Sequence, residues 1–204
     1  MSLGIHPRKY ASNLTGISMF IQPEQYVSLC KSLKVQRVGV IYNEEKSGWY
    51  LKQARKAAEA AGIKLVAREV GAPHETVAQL STLAGKVDAL WMIPDTTAVT
   101  RESAEAYLHF GQRNAVPVIS FAPAYLGLGA TAVLEIDRVA MGQQAFSLVR
   151  KLLVGSATGS IAQVEHPKVV AVRTNGNVLK KLNVSITPQR AATPLRSLLT
   201  TPPA

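Results

Sequence analysis

Hydrophobic positions along the chain form two alternating kinds of run. Arg37-Val-Gly-Val-Ile-Tyr42 is continuously apolar and stops at Asn43, the pattern of a strand buried on both faces. The polar turn Glu44-Glu-Lys-Ser47 follows, then Leu51, Ala54, Ala58 and Ala61 at helical spacing, with Ser47 as the expected N-cap and Gly62 as the stop. The alternation continues with a strand from Ile63 to Val70 and a helix from His74 to Ala84, closed by Gly85. Asp88 to Ile93 reads as a third strand, Thr100 as the cap of a helix through Asn114, and Val116 to Phe121 as a fourth strand. Thr131 to Ile136 is a fifth strand, and Asp137 caps a long helix reaching Val154. A sixth strand, Val169 to Val172, and a short helix, Asn177 to Leu182, end the regular part. Strands alternating with helices predict an α/β fold: a parallel sheet flanked by helices.

In open parallel sheets, ligands sit beyond the carboxyl ends of the strands. That rule selects Asn43 to Ser47, Ala72-Pro73, Asp95-Thr96-Thr97 and Phe121-Ala-Pro123, side by side on one rim. The expected ligand-binding residues are Asn13, Tyr42, Asn43, Ser47, Asp95, Thr96 and Phe121. Ser47 either caps its own helix or helps hold an anion at the helix N-terminus. Asp95 either accepts from a ligand ammonium or hydroxyl, or closes an Asx-turn after Pro94.

Composition narrows the chemistry. The chain has 204 residues, 47% hydrophobic and 18% charged, enough to build a core. Its single cysteine, Cys30, lies in an apolar pattern and reads as a buried structural thiol. The four histidines are scattered, so no metal site is expected. No GxSxG, GxxxxGK[ST] or GxGxxG occurs, so no catalytic set and no cofactor is expected. The pattern suits binding more than bond-making.

Several segments then resemble a family in order: Asn13-Leu-Thr-Gly-Ile-Ser18, Arg37 to Asn43, Ala57 to Leu65, Val87 to Asp95, Val116 to Ser120, Leu128 to Ala132 and Met141 to Ala145. Leu152 to Gly155 and Val178 to Leu182 complete the set. It resembles the ABC-transporter substrate-binding protein family of tryptophan/tyrosine-type binding proteins. The resemblance implies a type I periplasmic-binding-protein-like fold, of which this chain carries one lobe and an incomplete other. It implies a small, amino-acid-like solute, an ABC permease as partner and a periplasmic location. It places Asn13, Thr15 and Gly16 at the inter-lobe crossing, and Tyr42, Asn43, Ser47, Pro94 and Asp95 in the family's motifs. By analogy residues 1–15 are an N-terminal segment and crossover, 16–124 the main lobe, and 125–160 a crossing strand and long helix. Residues 161–188 return to the main lobe and 189–204 are a disordered tail. Family precursors run longer, with an export signal and most of a first lobe, so this chain is expected to be a fragment, a truncated reading frame, or a chain that forms a homodimer to bury an exposed face. Two alternatives use the same fold: a ligand-sensing regulatory domain, and a doubly wound α/β enzyme.

Charge changes the picture least. Residues 1–149 hold 15 Lys/Arg against 12 Asp/Glu, and residues 150–204 hold 8 against one, Glu165. The basic end contains no Phe, Trp or Tyr to stack bases, so solvated surface is expected there and no nucleic-acid site.

Overall fold

The computed structural model describes residues 15–153 and 164–186. Strand β1 (Gly16–Ile17) opens the described chain and leads to helix α1 (Pro23–Ser32). The core alternation follows as β2 (Arg37–Tyr42), α2 (Glu44–Ala60) and β3 (Lys64–Glu69). Next come α3 (Thr76–Ser81), β4 (Ala89–Trp91), α4 (Arg101–Arg113), β5 (Val118–Ser120) and α5 (Ala124–Gly127). The chain finishes with β6 (Ala132–Ile136), α6 (Arg138–Leu153), β7 (Val164–Glu165), β8 (Val170–Thr174) and α7 (Gly176–Leu182).

Six strands form the main sheet in the order β3-β2-β4-β5-β6-β8. The first five run parallel. The sequence treated β8 as one more strand of a parallel sheet, but it pairs with β6 antiparallel, Ala132 opposite Thr174 and Ile136 opposite Val170. Between them come α6 and β7, and β7 pairs with β1 in a separate sheet, so β8 re-enters beside β6 from that small sheet and not by a direct β–α–β crossover. Strands β1 and β7 pair parallel in a separate two-stranded sheet, and no strand was expected at either place.

The apolar runs are buried on both faces, as their continuity implies. Val38, Val40 and Trp91 pack with Tyr26 and Cys30 of α1 and Tyr50, Leu51 and Ala54 of α2. Ile41, Leu90 and Met92 pack on the other side with Leu80 of α3 and Tyr107 and Leu108 of α4. Helix α4 lies close to β5: a Cβ on Gly111 would come within 2.4 Å of Val118 Cγ2 and 3.0 Å of the Val116 carbonyl oxygen. Glycine is required there by the close approach. Cys30 is buried, and burial pushes its thiol up to about 12, in keeping with a structural role.

Local signals place several helices correctly. Thr100 and Ser103 form a reciprocal capping box, and Asp137 accepts from the Ala140 N–H at 2.9 Å. Helix α2 differs: it starts at Glu44, and its N-cap is Asn43, whose Oδ1 accepts from the Lys46 N–H at 3.2 Å. Ser47 therefore sits inside the first turn. The two glutamates after Asn43 favour this earlier start through the helix dipole. The helix expected from His74 to Ala84 is a 3₁₀ turn, Pro73–Glu75, followed by the shorter α3. Helix α1 went unassigned, although Pro23 at its first position is a usual start signal. The Gly/Ser stretch after α6 and the expected tail lie outside the described residues.

Candidate functional site

The order β3-β2-β4-β5 sets the carboxyl ends of four parallel strands along one edge. Tyr42 ends β2 and Asn43 follows it, Asp95 and Thr96 follow β4, and Phe121 follows β5. Ser47 joins them from the first turn of α2. Six of the seven expected residues therefore share one rim. The seventh, Asn13, lies outside the described residues, two positions before Thr15 and three before β1.

Asp95 organises this rim. Its side chain is 2% exposed, and each carboxylate oxygen receives two hydrogen bonds. Oδ2 accepts from the Asn43 N–H at 2.7 Å and from the Ser47 hydroxyl. Oδ1 accepts from the Thr97 and Ala98 N–H groups at 2.8 and 2.9 Å. A buried carboxylate needs such donors to offset its desolvation. Asp95 thus closes its own turn, as the Asx-turn alternative has it, and also clasps α2 to β4. Ser47 is fully buried and is engaged by Asp95 and by the Asn43 carbonyl at 3.3 Å. Asn43 adds a third tie: its Nδ2 donates to the Val70 carbonyl at 2.8 Å, beyond the end of β3.

Other groups face outward. Thr96 is exposed and accepts from Lys46 Nζ at 2.9 Å, a contact the sequence reading missed. Lys46 in the same turn as Ser47 was the available signal. Tyr42 is half-buried, and its hydroxyl pKa is raised by burial and by Glu69 and Glu44. Phe121 is half-buried and stacks edge-on with Tyr125, centroids 6.0 Å apart, so the β5 end carries an aromatic wall. Beside it, Ser120 Oγ is buried without a hydrogen-bond partner among the described residues, and so is Tyr107 Oη. Buried hydroxyls without partners are uncommon. Ser120 was legible as a polar residue at the end of an apolar run, but nothing in the sequence marked it as unpartnered. Glu44 and Glu45 already occupy the first turn of α2, so this helix end is poorly suited to a free anion. An open surface depression lies elsewhere, lined by Arg55, Glu59, Ile63 and Leu65, and no rim residue borders it.

The rim is tied to the small sheet. Ser18 N–H donates to the Glu165 carbonyl at 2.8 Å, extending the β1–β7 pair. His166 Nδ1 donates to the Phe20 carbonyl at 3.0 Å. Tyr50 of α2 donates to the Ile21 carbonyl at 2.7 Å, and Phe20 stacks on Trp49 and Tyr50 at 5.0 and 5.1 Å. The helix that begins on the rim therefore grips the segment leaving β1. Toward the basic end, Arg173 pairs with Glu135 at 3.3 Å and Lys168 with Glu165 at 3.7 Å.

Comparison with known proteins supplies the remaining observations. A family model described as ABC transporter substrate binding protein matches residues 2–194. A tyrosine-binding protein of Clostridioides difficile (strain R20291) is 27% identical over 157 residues, covering 75% of this chain and 45% of the relative. A Streptococcus pneumoniae ABC domain solved in complex with L-Trp superposes with TM-score 0.66 at 23% identity, over 86% of this chain and 61% of the other. The ligand-free, open structure of a Clostridium difficile substrate binding protein with adhesive properties gives 0.67 at 24% identity, over 86% and 60%. The chain thus spans about half to three-fifths of the length of these relatives.

Proposed function

We propose, starting from the fact that this chain belongs to the family of ABC transporter substrate binding proteins, that it is the solute-binding component of an ABC-type transport system. Its solute is a small amino-acid-like molecule with an aromatic or apolar side chain. The observation that carries this reading is the family match across residues 2–194, whose main lobe has a rim of outward polar groups beside an aromatic pair.

Tyr42, Thr96 and the Lys46 ammonium offer hydrogen bonds and one positive charge to a carboxylate or hydroxyl. Phe121 and Tyr125 offer an apolar face to a ring. Asp95 and Ser47 act from behind, holding Asn43 and the first turn of α2 against β4. The resemblance adds Asn13 to these ligand-binding residues. The protein binds and releases its cargo without changing it: Ser47 is buried and is bonded to a carboxylate already receiving three N–H groups, which suits scaffolding and not nucleophilic attack. The relatives named for tyrosine and solved with L-Trp favour an aromatic amino acid. A permease receives the cargo, and the protein works outside the cytoplasmic membrane.

Thermal-shift measurements with L-Tyr, L-Trp, L-Phe, aliphatic amino acids and aromatic acids test the reading. Ligand at 100 times its Kd adds ~2.7 kcal/mol, which raises the midpoint of a chain this size by ~5–10 °C. We expect the largest shift with an aromatic amino acid. The absence of a shift with every compound at millimolar concentration would overturn the proposal.

A further inference from the structure

Among the described residues, three buried side-chain atoms have no hydrogen-bond partner: Trp91 Nε1, Tyr107 Oη and Ser120 Oγ. The Trp91 indole lies on the α1–α2 side of the sheet. The two hydroxyls lie on the other side. Along β5, Val118 packs on the α4 side and Ile119 on the opposite one, so the two-residue period turns Ser120 back toward α4. Strands β4 and β5 are parallel, so α4 between them runs the other way, with Gly111 against Val118. One turn back from Gly111, about 6 Å toward the carboxyl ends of the strands, stands Tyr107. Two residues on from Val118, about 6.6 Å in the same direction, stands Ser120. The two residues are therefore level. A helical side chain leans toward the start of its helix, here toward the rim. In keeping with that, the Tyr107 hydroxyl pKa is raised by burial and by the charge of Asp95. Phe121 and Tyr125, the aromatic pair of the rim, pack on the same core cluster as Tyr107.

We propose that Tyr107 and Ser120 select a solute whose aromatic ring carries a hydroxyl, bound with that hydroxyl between theirs. A hydroxyl both donates and accepts, so a single one serves the two of them, whereas a ring N–H donates to one and leaves the other unmatched. The ring lies against Phe121 and Tyr125, and its far end reaches the pair. Both hydroxyls are fully buried, while Phe121 and Tyr125 are part-exposed, and rotation of these two side chains on binding opens the way. Unmatched hydroxyls destabilise the chain without solute and reappear as discrimination, because a site built to bond a hydroxyl rejects the analogue that lacks it. This inference rests on the solute-binding reading and narrows its solute class.

Isothermal titration calorimetry of the full 204-residue chain with L-Tyr, L-Phe and 4-methyl-L-phenylalanine tests it. The methyl analogue matches tyrosine in shape without the hydroxyl. L-Tyr should bind at least ~10-fold tighter than either analogue. In Ser120→Ala, and independently in Tyr107→Phe, that ratio should fall toward one. The thermal midpoint of each variant without solute should hold or rise, because an unmatched buried hydroxyl has been removed. A purely structural role would lower it. Equal affinities for the three compounds in the parent chain would overturn the proposal and leave the solute-binding reading standing. So would a tyrosine preference that either variant keeps, or a midpoint that falls in either. Binding of no amino acid at all would overturn the solute-binding reading, and this inference with it.

Discussion

Asp95→Ala removes one acceptor group from four donors. Three are backbone N–H groups, of Asn43, Thr97 and Ala98, at 2.7, 2.8 and 2.9 Å. The fourth, the Ser47 hydroxyl, has an alternative acceptor in the Asn43 carbonyl at 3.3 Å. A buried donor left without a partner costs ~1–3 kcal/mol. Relief of the buried charge and entry of water at the rim recover part of three such losses, so we expect a net loss of about 4 kcal/mol. For a chain of this length that lowers the thermal midpoint by ~8–16 °C. Asp95→Asn should cost less. Its carbonyl oxygen can still serve Thr97 and Ala98, and Ser47 can reverse its hydroxyl to accept from the new amide. One orphan then remains, the Asn43 N–H, at ~2 kcal/mol. Urea unfolding followed by the fluorescence of buried Trp91 and of Trp49 measures both variants, with unchanged m-values as the control. A loss below ~1 kcal/mol for the alanine variant would refute the clasp. Equal losses for the two variants would refute the counting of donors.

Two further outcomes are expected. Hydrogen bonding from Arg37, with the Arg37 and Gln36 N–H groups adding to it, holds the Asp88 carboxyl below its ordinary 3.8. Its contribution is therefore present above that value and is lost as pH falls through the lower folded pKa. For a surface pair it amounts to ~1 kcal/mol at most, so urea midpoints measured from pH ~6 down to ~2 should fall less steeply for Asp88→Asn than for the parent chain. Cys30, buried with its thiol pushed up to about 12, should resist an aromatic disulfide reagent at neutral pH and react only on unfolding. Rapid labelling of the native chain would contradict that burial.

Much of the rim was legible in the sequence because buried parallel strands announce themselves as apolar runs. The runs ending at Tyr42, Ile93 and Phe121 gave the ends of β2, β4 and β5 to within three residues. The division of labour among the rim residues was not legible. Asp95 meets Asn43 and Ser47 across 52 and 48 positions, so no local pattern says whether its oxygens are taken. Ser47 looked like a cap because a short polar turn precedes an apolar stripe. Four residues earlier, Asn43 had the stronger claim, as an Asn followed by two glutamates.

The sequence by itself determined the alternation of strand and helix, and with it the edge where the chemistry gathers. Periodicity and caps are local, and they act through each residue's own backbone. Only the tertiary structure decided which polar groups on that edge are consumed in holding it together and which face outward. A buried carboxylate is satisfied by donors from wherever the fold brings them. The same holds for α6: only the fold set Gln144 against the small sheet and left Val139, Phe146, Val149 and Leu153 exposed.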